Sequence, residues 1–173
     1  MKQELLIGCG SKWDKRLTVD ATDHFENLTT LDYNADHEPD IVWDLHNLPL
    51  PFESESFDEI HAYEVLEHVG HQGDYRTFFA QFTEFYRLLK MGGYFIATCP
   101  SRHSAWAWGD PSHTRILQKE QLVFLHQQNY VDQVGKTAMS DFRSIYSVNF
   151  KTHWLDENTE EFKFILQKIP KGE

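Results

Sequence analysis

The chain has 173 residues, with 16 Lys plus Arg against 27 Asp plus Glu and a formal net charge of −11. That length suits one domain with a real core, residues 1–173, rather than two, and the acidic surface disfavours a nucleic-acid backbone as substrate. Two cysteines, Cys9 and Cys99, exclude a disulfide framework, and with no basic leader or membrane-length apolar run a cytoplasmic location is expected.

Leu5 to Ile7 is a short apolar run that ends in Gly8-Cys9-Gly10, the pattern of a buried strand whose glycines let backbone approach a ligand. Ser11 to Asn27 lacks the apolar period of a covering helix and is expected to be loop, with a short strand at Leu17 to Val19. Leu28 to Leu31 is a second strand with Asp32 at its tip, where a carboxylate can accept from ribose hydroxyls. The third glycine of a dinucleotide site is replaced by Ser11-Lys12-Trp13, which points to a ligand with a ribose and no phosphate. Ile41 to Trp43, Ile60 to Val65 and Tyr94 to Thr98 complete five candidate parallel strands. Tyr75, Phe78, Phe79, Phe82, Phe85, Tyr86 and Leu89 form a helical stripe, which Gly92-Gly93 should terminate. A further helix is expected over Lys119 to Asn129. A terminal hairpin should have arms near Ser147 to Trp154 and Phe162 to Ile169, with its turn at Asp156-Glu157-Asn158.

Asp44 follows the third strand, and Leu48-Pro49-Leu50-Pro51-Phe52, the run from Ser56 to Val69 (SFDEIHAYEVLEHV) and the run from Leu88 to Ser101 (LLKMGGYFIATCPS) follow in order. Over roughly the first hundred residues these linked motifs resemble Rossmann-like (class I) S-adenosylmethionine-dependent methyltransferases, in particular the small type 11 members grouped with polysaccharide biosynthesis. The resemblance implies an α/β fold with a central, mostly parallel sheet, helices on both faces and a C-terminal antiparallel hairpin. It implies S-adenosyl-L-methionine as cofactor, with Gly8, Cys9 and Gly10 under the methionine part and Asp32 on the ribose. Tyr33 would pack on the adenosine, Asp44 and Leu45 would read the adenine, and Glu64 would meet the methionine amino group or the substrate.

Methyl transfer relies on alignment, with a general base only for an acceptor that holds its proton at neutral pH. His113 and His68 are the candidate catalytic groups, and His103, Trp106 and Arg115 the candidate acceptor-binding residues. Trp108 could wall the same pocket or anchor a loop. Glu64, Glu67, His68 and His71 are spaced irregularly because Gly70 interrupts them, so no metal is expected. A small-molecule or saccharide-like acceptor is expected, with a homodimer left open. The alternatives are a non-catalytic cofactor-binding protein or partner subunit, and a methyltransferase on nucleic acid or protein. The nucleic-acid reading is weakened because Ala62-Tyr63-Glu64-Val65 stands where a base-amine enzyme would carry Asp/Asn-Pro-Pro-Tyr.

Overall fold

Alternation along the first strand sets the architecture, because Leu5 and Ile7 enter one core cluster while Leu6 enters another on the opposite face. In the computed structural model, which describes residues 1–172, the strands are β1 (Gln3–Ile7), β2 (Asn27–Asp32), β3 (Ile41–Val42), β4 (Phe57–Tyr63), β5 (Leu89–Pro100), β6 (Phe150–Glu157) and β7 (Glu161–Lys168). They form one sheet in the order β3-β2-β1-β4-β5-β7-β6. The pairings among β1 to β5 are parallel, and β7 runs antiparallel to both β5 and β6. Strand order reverses between β1 and β4, so the crevice above their carboxyl ends is where this kind of sheet takes a ligand.

The larger core lies between the sheet and α1 (Tyr75–Leu88). Asp74 caps α1 by accepting from the Thr77 N–H at 3.1 Å. Phe79, Phe82, Phe85 and Leu88 are buried, and the Phe85 ring stacks on Phe95 of β5 with centroids 4.5 Å apart. Each such side chain contributes about 1.5–3 kcal/mol when fully buried.

Gly92-Gly93 does not end this helix. α1 stops at Leu88 and β5 begins at once, so the glycines lie inside the strand, beside a register shift between Phe57 and Glu59 of β4. Gly92 has φ 81°, and a Cβ on Gly93 would lie 2.8 Å from the Asp58 carbonyl oxygen. These residues serve a strand irregularity with close backbone approach.

A one-turn helix, α2 (Trp106–Gly109), which sequence periodicity did not indicate, follows β5, and the helix expected over Lys119 to Asn129 is broken into α3 (Lys119–Leu122), a 3-10 turn and α4 (Gln127–Gln133). The break falls at His126, which is extended, and the Gln127 N–H donates to Asn149 Oδ1 at 2.9 Å instead of continuing the helix. The hairpin turn falls two residues later than expected, where Asn158 Oδ1 accepts from the N–H groups of Glu160 and Glu161.

Residues 11–26 are irregular, as expected, without the short strand at Leu17 to Val19. Leu17, Val19 and Phe25 pack on the smaller cluster of Leu6, Cys9, Tyr63, Ile96 and Ile165, so over β1 and β4 a loop takes the place of a covering helix. A buried charge network holds it there. Lys15 Nζ donates to Glu4 Oε1 at 2.6 Å and lies 3.0 Å from Glu59 Oε2, Lys2 bonds Glu59 as well, and His61 Nε2 lies 3.2 Å from Glu59 Oε2. Lys15, Glu4 and His61 have fully buried side chains. Among the described residues no helix is long and apolar enough to cross a membrane.

Candidate functional site

A cleft of about 480 Å³ opens at the carboxyl ends of β1, β2 and β4. Gly8, Gly10, Asp32, Tyr33, Asp44, Leu45, Glu64 and His68 line it together, so eight of the sequence-selected residues converge. Cys9 lies in an adjoining recess with Tyr63 and Arg16, which Gly8, Gly10 and Glu64 share. Burial pushes the Cys9 thiol up to about 11, and both Cys9 and Cys99 are free thiols.

Gly8 and Gly10 both take positive φ, 60° and 56°, for different reasons. A Cβ on Gly8 would lie 2.2 Å from Val65 Cγ2, so that glycine lets the turn after β4 pack onto the end of β1. Around the Cβ position of Gly10 nothing lies within 4 Å, which leaves its backbone open to a ligand.

Asp32 is 4 % exposed and already works within the protein. Its Oδ2 accepts from the Gly10 N–H and its Oδ1 from the Asn34 N–H, both at 2.9 Å. The carboxylate thereby fixes the glycine turn against the tip of β2, with His37 Nδ1 3.3 Å away. Asp44 is half exposed, and its Oδ1 accepts from both the N–H and Nδ1 of His46 at 2.9 Å. Those two bonds, the backbone one first, hold its carboxyl below the ordinary value. His46 Nε2 in turn accepts from the Gly70 N–H at 3.3 Å, which selects the neutral tautomer with the proton on Nδ1. His37, Trp43, His46, Val65 and Ser112 also line the cleft. Sequence reasoning passed over them, since only His46, two residues after Asp44, carried a usable signal.

Glu64 follows β4 with φ 54°, a left-handed conformation for a non-glycine residue, held by a 2.9 Å bond from its N–H to the Thr98 carbonyl. Its Oε1 is buried without a hydrogen-bond partner, and burial raises its carboxyl. Glu64 thus combines backbone strain with one buried carboxylate oxygen that has no hydrogen-bond partner, in a residue that lines the cleft.

The turn over Leu66–His68 is laced to the segment after α2. The Thr114 N–H donates to the Glu67 carbonyl at 2.9 Å, and the Gln72 N–H to the Thr114 carbonyl at 3.0 Å. His113 rides on this segment with its ring edge-on to His68 at 4.6 Å between centroids. Its Nε2 is 4.0 Å from Glu67 Oε1. Glu67 is 2 % exposed, and burial, reinforced by Glu64, pushes its carboxyl up to about 8. His68 lies lower than an ordinary histidine because of burial and His113.

Arg115 is buried away from the cleft. Its Nε donates to the Leu66 carbonyl and its Nη2 to Gln81 Oε1, each at 2.8 Å, so its donors brace the turn and α1. His103, Trp106 and Trp108 are exposed and do not line the cleft. Trp106 and Trp108 sit on α2.

Residues 5–97 match a family model described as a methyltransferase domain. Among curated proteins none matches in sequence. A SAM-dependent methyltransferase from Archaeoglobus fulgidus superposes with a TM-score of 0.61 at 16% identity, over 96% of this chain and 86% of that one. The complex of the Haloferax volcanii Trm112 methyltransferase activator with a methyltransferase gives 0.58 at 13% identity, over 98% and 82%. The N-methyltransferase NodS from Bradyrhizobium japonicum WM9, in complex with S-adenosyl-L-homocysteine, gives 0.54 at 15% identity, over 96% and 78%. With more than half of its length matched by the family model and the sheet order and cleft described above, the chain belongs to the methyltransferase domain family and has the Rossmann-like fold of S-adenosylmethionine-dependent methyltransferases.

Proposed function

We propose that the chain transfers a methyl group from S-adenosylmethionine to a small-molecule or saccharide-like acceptor. The observation that carries the cofactor site is the convergence of Gly10, Asp32, Asp44 and Glu64 on one cleft at the strand-order reversal. The residues fit the cofactor. Gly10 leaves the space of a side chain open, and Glu64 has a buried carboxylate oxygen without a partner, suited to an ammonium group.

When bound, the cofactor supplies a methyl group already activated on a sulfonium sulfur. In this reading Asp32 holds the ribose hydroxyls while keeping the glycine turn in place. Asp44, with Oδ1 held by His46, offers Oδ2 to the adenine amine, and Leu45 and Tyr33 cover the base and ribose. His68 and His113 stand at the acceptor end, where a neutral imidazole can take the proton of a hydroxyl acceptor. Alignment of nucleophile, methyl and sulfur supplies most of the acceleration.

The test is production of S-adenosylhomocysteine with panels of hydroxyl- and amine-bearing small molecules and sugars, alongside peptides and RNA. Turnover confined to small molecules supports the reading, and turnover confined to polymers overturns it. A second reading, a subunit that turns over only with a protein partner, is favoured by the activator complex of the Haloferax neighbour and by exposed Trp154 and Leu155 on edge strand β6. Turnover by the isolated chain contradicts it.

A further inference from the structure

Two clusters of carboxylate and imidazole have the spacing of a metal site, and they differ in one decisive respect. In Glu4, Glu59 and His61, ammonium groups occupy the centre, because Lys15 bonds both glutamates and Lys2 bonds Glu59. In Glu67, His68 and His113, one ligand atom from each lies within 4.8 Å of the other two. Here, among the described residues, no lysine or arginine nitrogen forms an ion pair with Glu67, whose two carboxylate oxygens are buried with only the Cys99 thiol beside them and no nitrogen or oxygen partner. Nor does buried His113 Nδ1 have a partner. The nearest guanidinium, Arg115, gives its donors to Leu66 and Gln81.

We propose that Glu67, His68 and His113 bind a divalent transition-metal ion at the end of the cleft. Two imidazoles and one carboxylate form a donor set that holds such ions and leaves coordination positions open. The 4.0 Å between His113 Nε2 and Glu67 Oε1 is too long for a hydrogen bond. It accommodates two bonds of about 2.0–2.2 Å to one ion after closing by roughly half an ångström. For His68 an orienting group is also in place. His68 Nδ1 lies 3.3 Å from the Ser112 carbonyl and 3.2 Å from its hydroxyl, which leaves Nε2 for the ion. The site forms because the segment carrying His113 is tied to the turn carrying Glu67 by the Thr114 bonds.

His68 and Ser112 line the cleft, so an ion here would face the acceptor. That part of the inference rests on the function proposed above, whereas ion binding does not. With both imidazoles held by the ion, an acceptor hydroxyl on an open position would give its proton to water rather than to His68 or His113, and more readily than the free hydroxyl does. Its oxygen would form the new O–C bond as the S–C bond breaks, and S-adenosylhomocysteine would leave.

The full chain, stripped with chelator, is titrated with Co2+ and Zn2+, read by Co2+ ligand-field absorption and calorimetry, with S-adenosylhomocysteine binding measured in parallel. One equivalent of ion is expected. Glu67→Gln and His113→Gln should each weaken it by more than the roughly 10- to 100-fold that loss of an outer-shell partner costs, with S-adenosylhomocysteine affinity kept. His68→Gln, at a half-exposed position, carries the same expectation should a buried variant fail to fold. No saturable binding, or one-equivalent binding that survives these variants, overturns the site. Ion binding without S-adenosylhomocysteine binding upholds the site and contradicts the cofactor reading.

Discussion

In the proposed reading, stability and cofactor binding meet in the backbone of Glu64. A left-handed non-glycine residue costs about 1–2 kcal/mol, and here the cost falls on a side chain whose buried oxygen has no partner in the protein. Glu64→Gly should therefore raise the unfolding free energy by about 1 kcal/mol while weakening S-adenosylmethionine binding, as read by denaturant unfolding beside calorimetry. A variant that is both less stable and unaltered in binding would contradict the assignment. Asp32 behaves differently. Asp32→Ala removes the acceptor of two backbone N–H groups, so a loss of about 1–3 kcal/mol of stability should accompany loss of cofactor affinity. Unfolding and binding must be measured together at that position.

Among the elements, the β1–β2 connection shows most clearly how polar residues replace a helix. Lys15 neutralises two buried glutamates, and Lys15→Met would leave Glu4 without a lysine and Glu59 with Lys2 alone, for a loss of about 3–5 kcal/mol in denaturant unfolding. A change below 1 kcal/mol would mean that Lys2 and His61 suffice. The loop itself was legible in the sequence, because Ser11 to Asn27 has no helical period, but its anchor was not. Glu4, Glu59 and His61 fall on strands that read as buried apolar runs, and only the register that places Glu4 beside Glu59 explains charges there. The strands up to Asp32 and Asp44 and the aromatic stripe of α1 were legible because each buries a periodic face. The Gly92-Gly93 bend and the break at His126 were not, since both answer to partners distant in sequence, Asp58 and Asn149. The same holds for the site. Strand tips located Gly8, Gly10, Asp32, Asp44 and Glu64, whereas the burial of Arg115 and the pairing of Glu67 with His113 depend on how residues 110–115 fold back over the turn at 66–70.

At the scale of the whole molecule, the network under the loop should set the acid limit of the fold. Glu59 and Glu4 sit below their ordinary value of 4.5, pulled down against the opposing effect of burial by bonds from His61 and the lysines. Depressed carboxyls stabilise the folded state fully above the unfolded value and lose that contribution as pH falls. The melting temperature should therefore drop on acidification from about 4.5 downward, less steeply in Lys15→Met, where the glutamates are less depressed. Equal acid sensitivity in both proteins would place the titrating groups elsewhere.

The central claim, that the cleft binds S-adenosylmethionine and its product, is tested most directly by calorimetric titration with S-adenosylhomocysteine, wild type beside Asp44→Ala. Asp44 is the cleaner choice than Asp32 because it is half exposed and holds only His46. Micromolar affinity, about −8 kcal/mol, is expected for the wild type, with a loss of about 1.5–3 kcal/mol in the variant and unchanged melting. No binding by the wild type, or equal binding by the variant, would contradict the account.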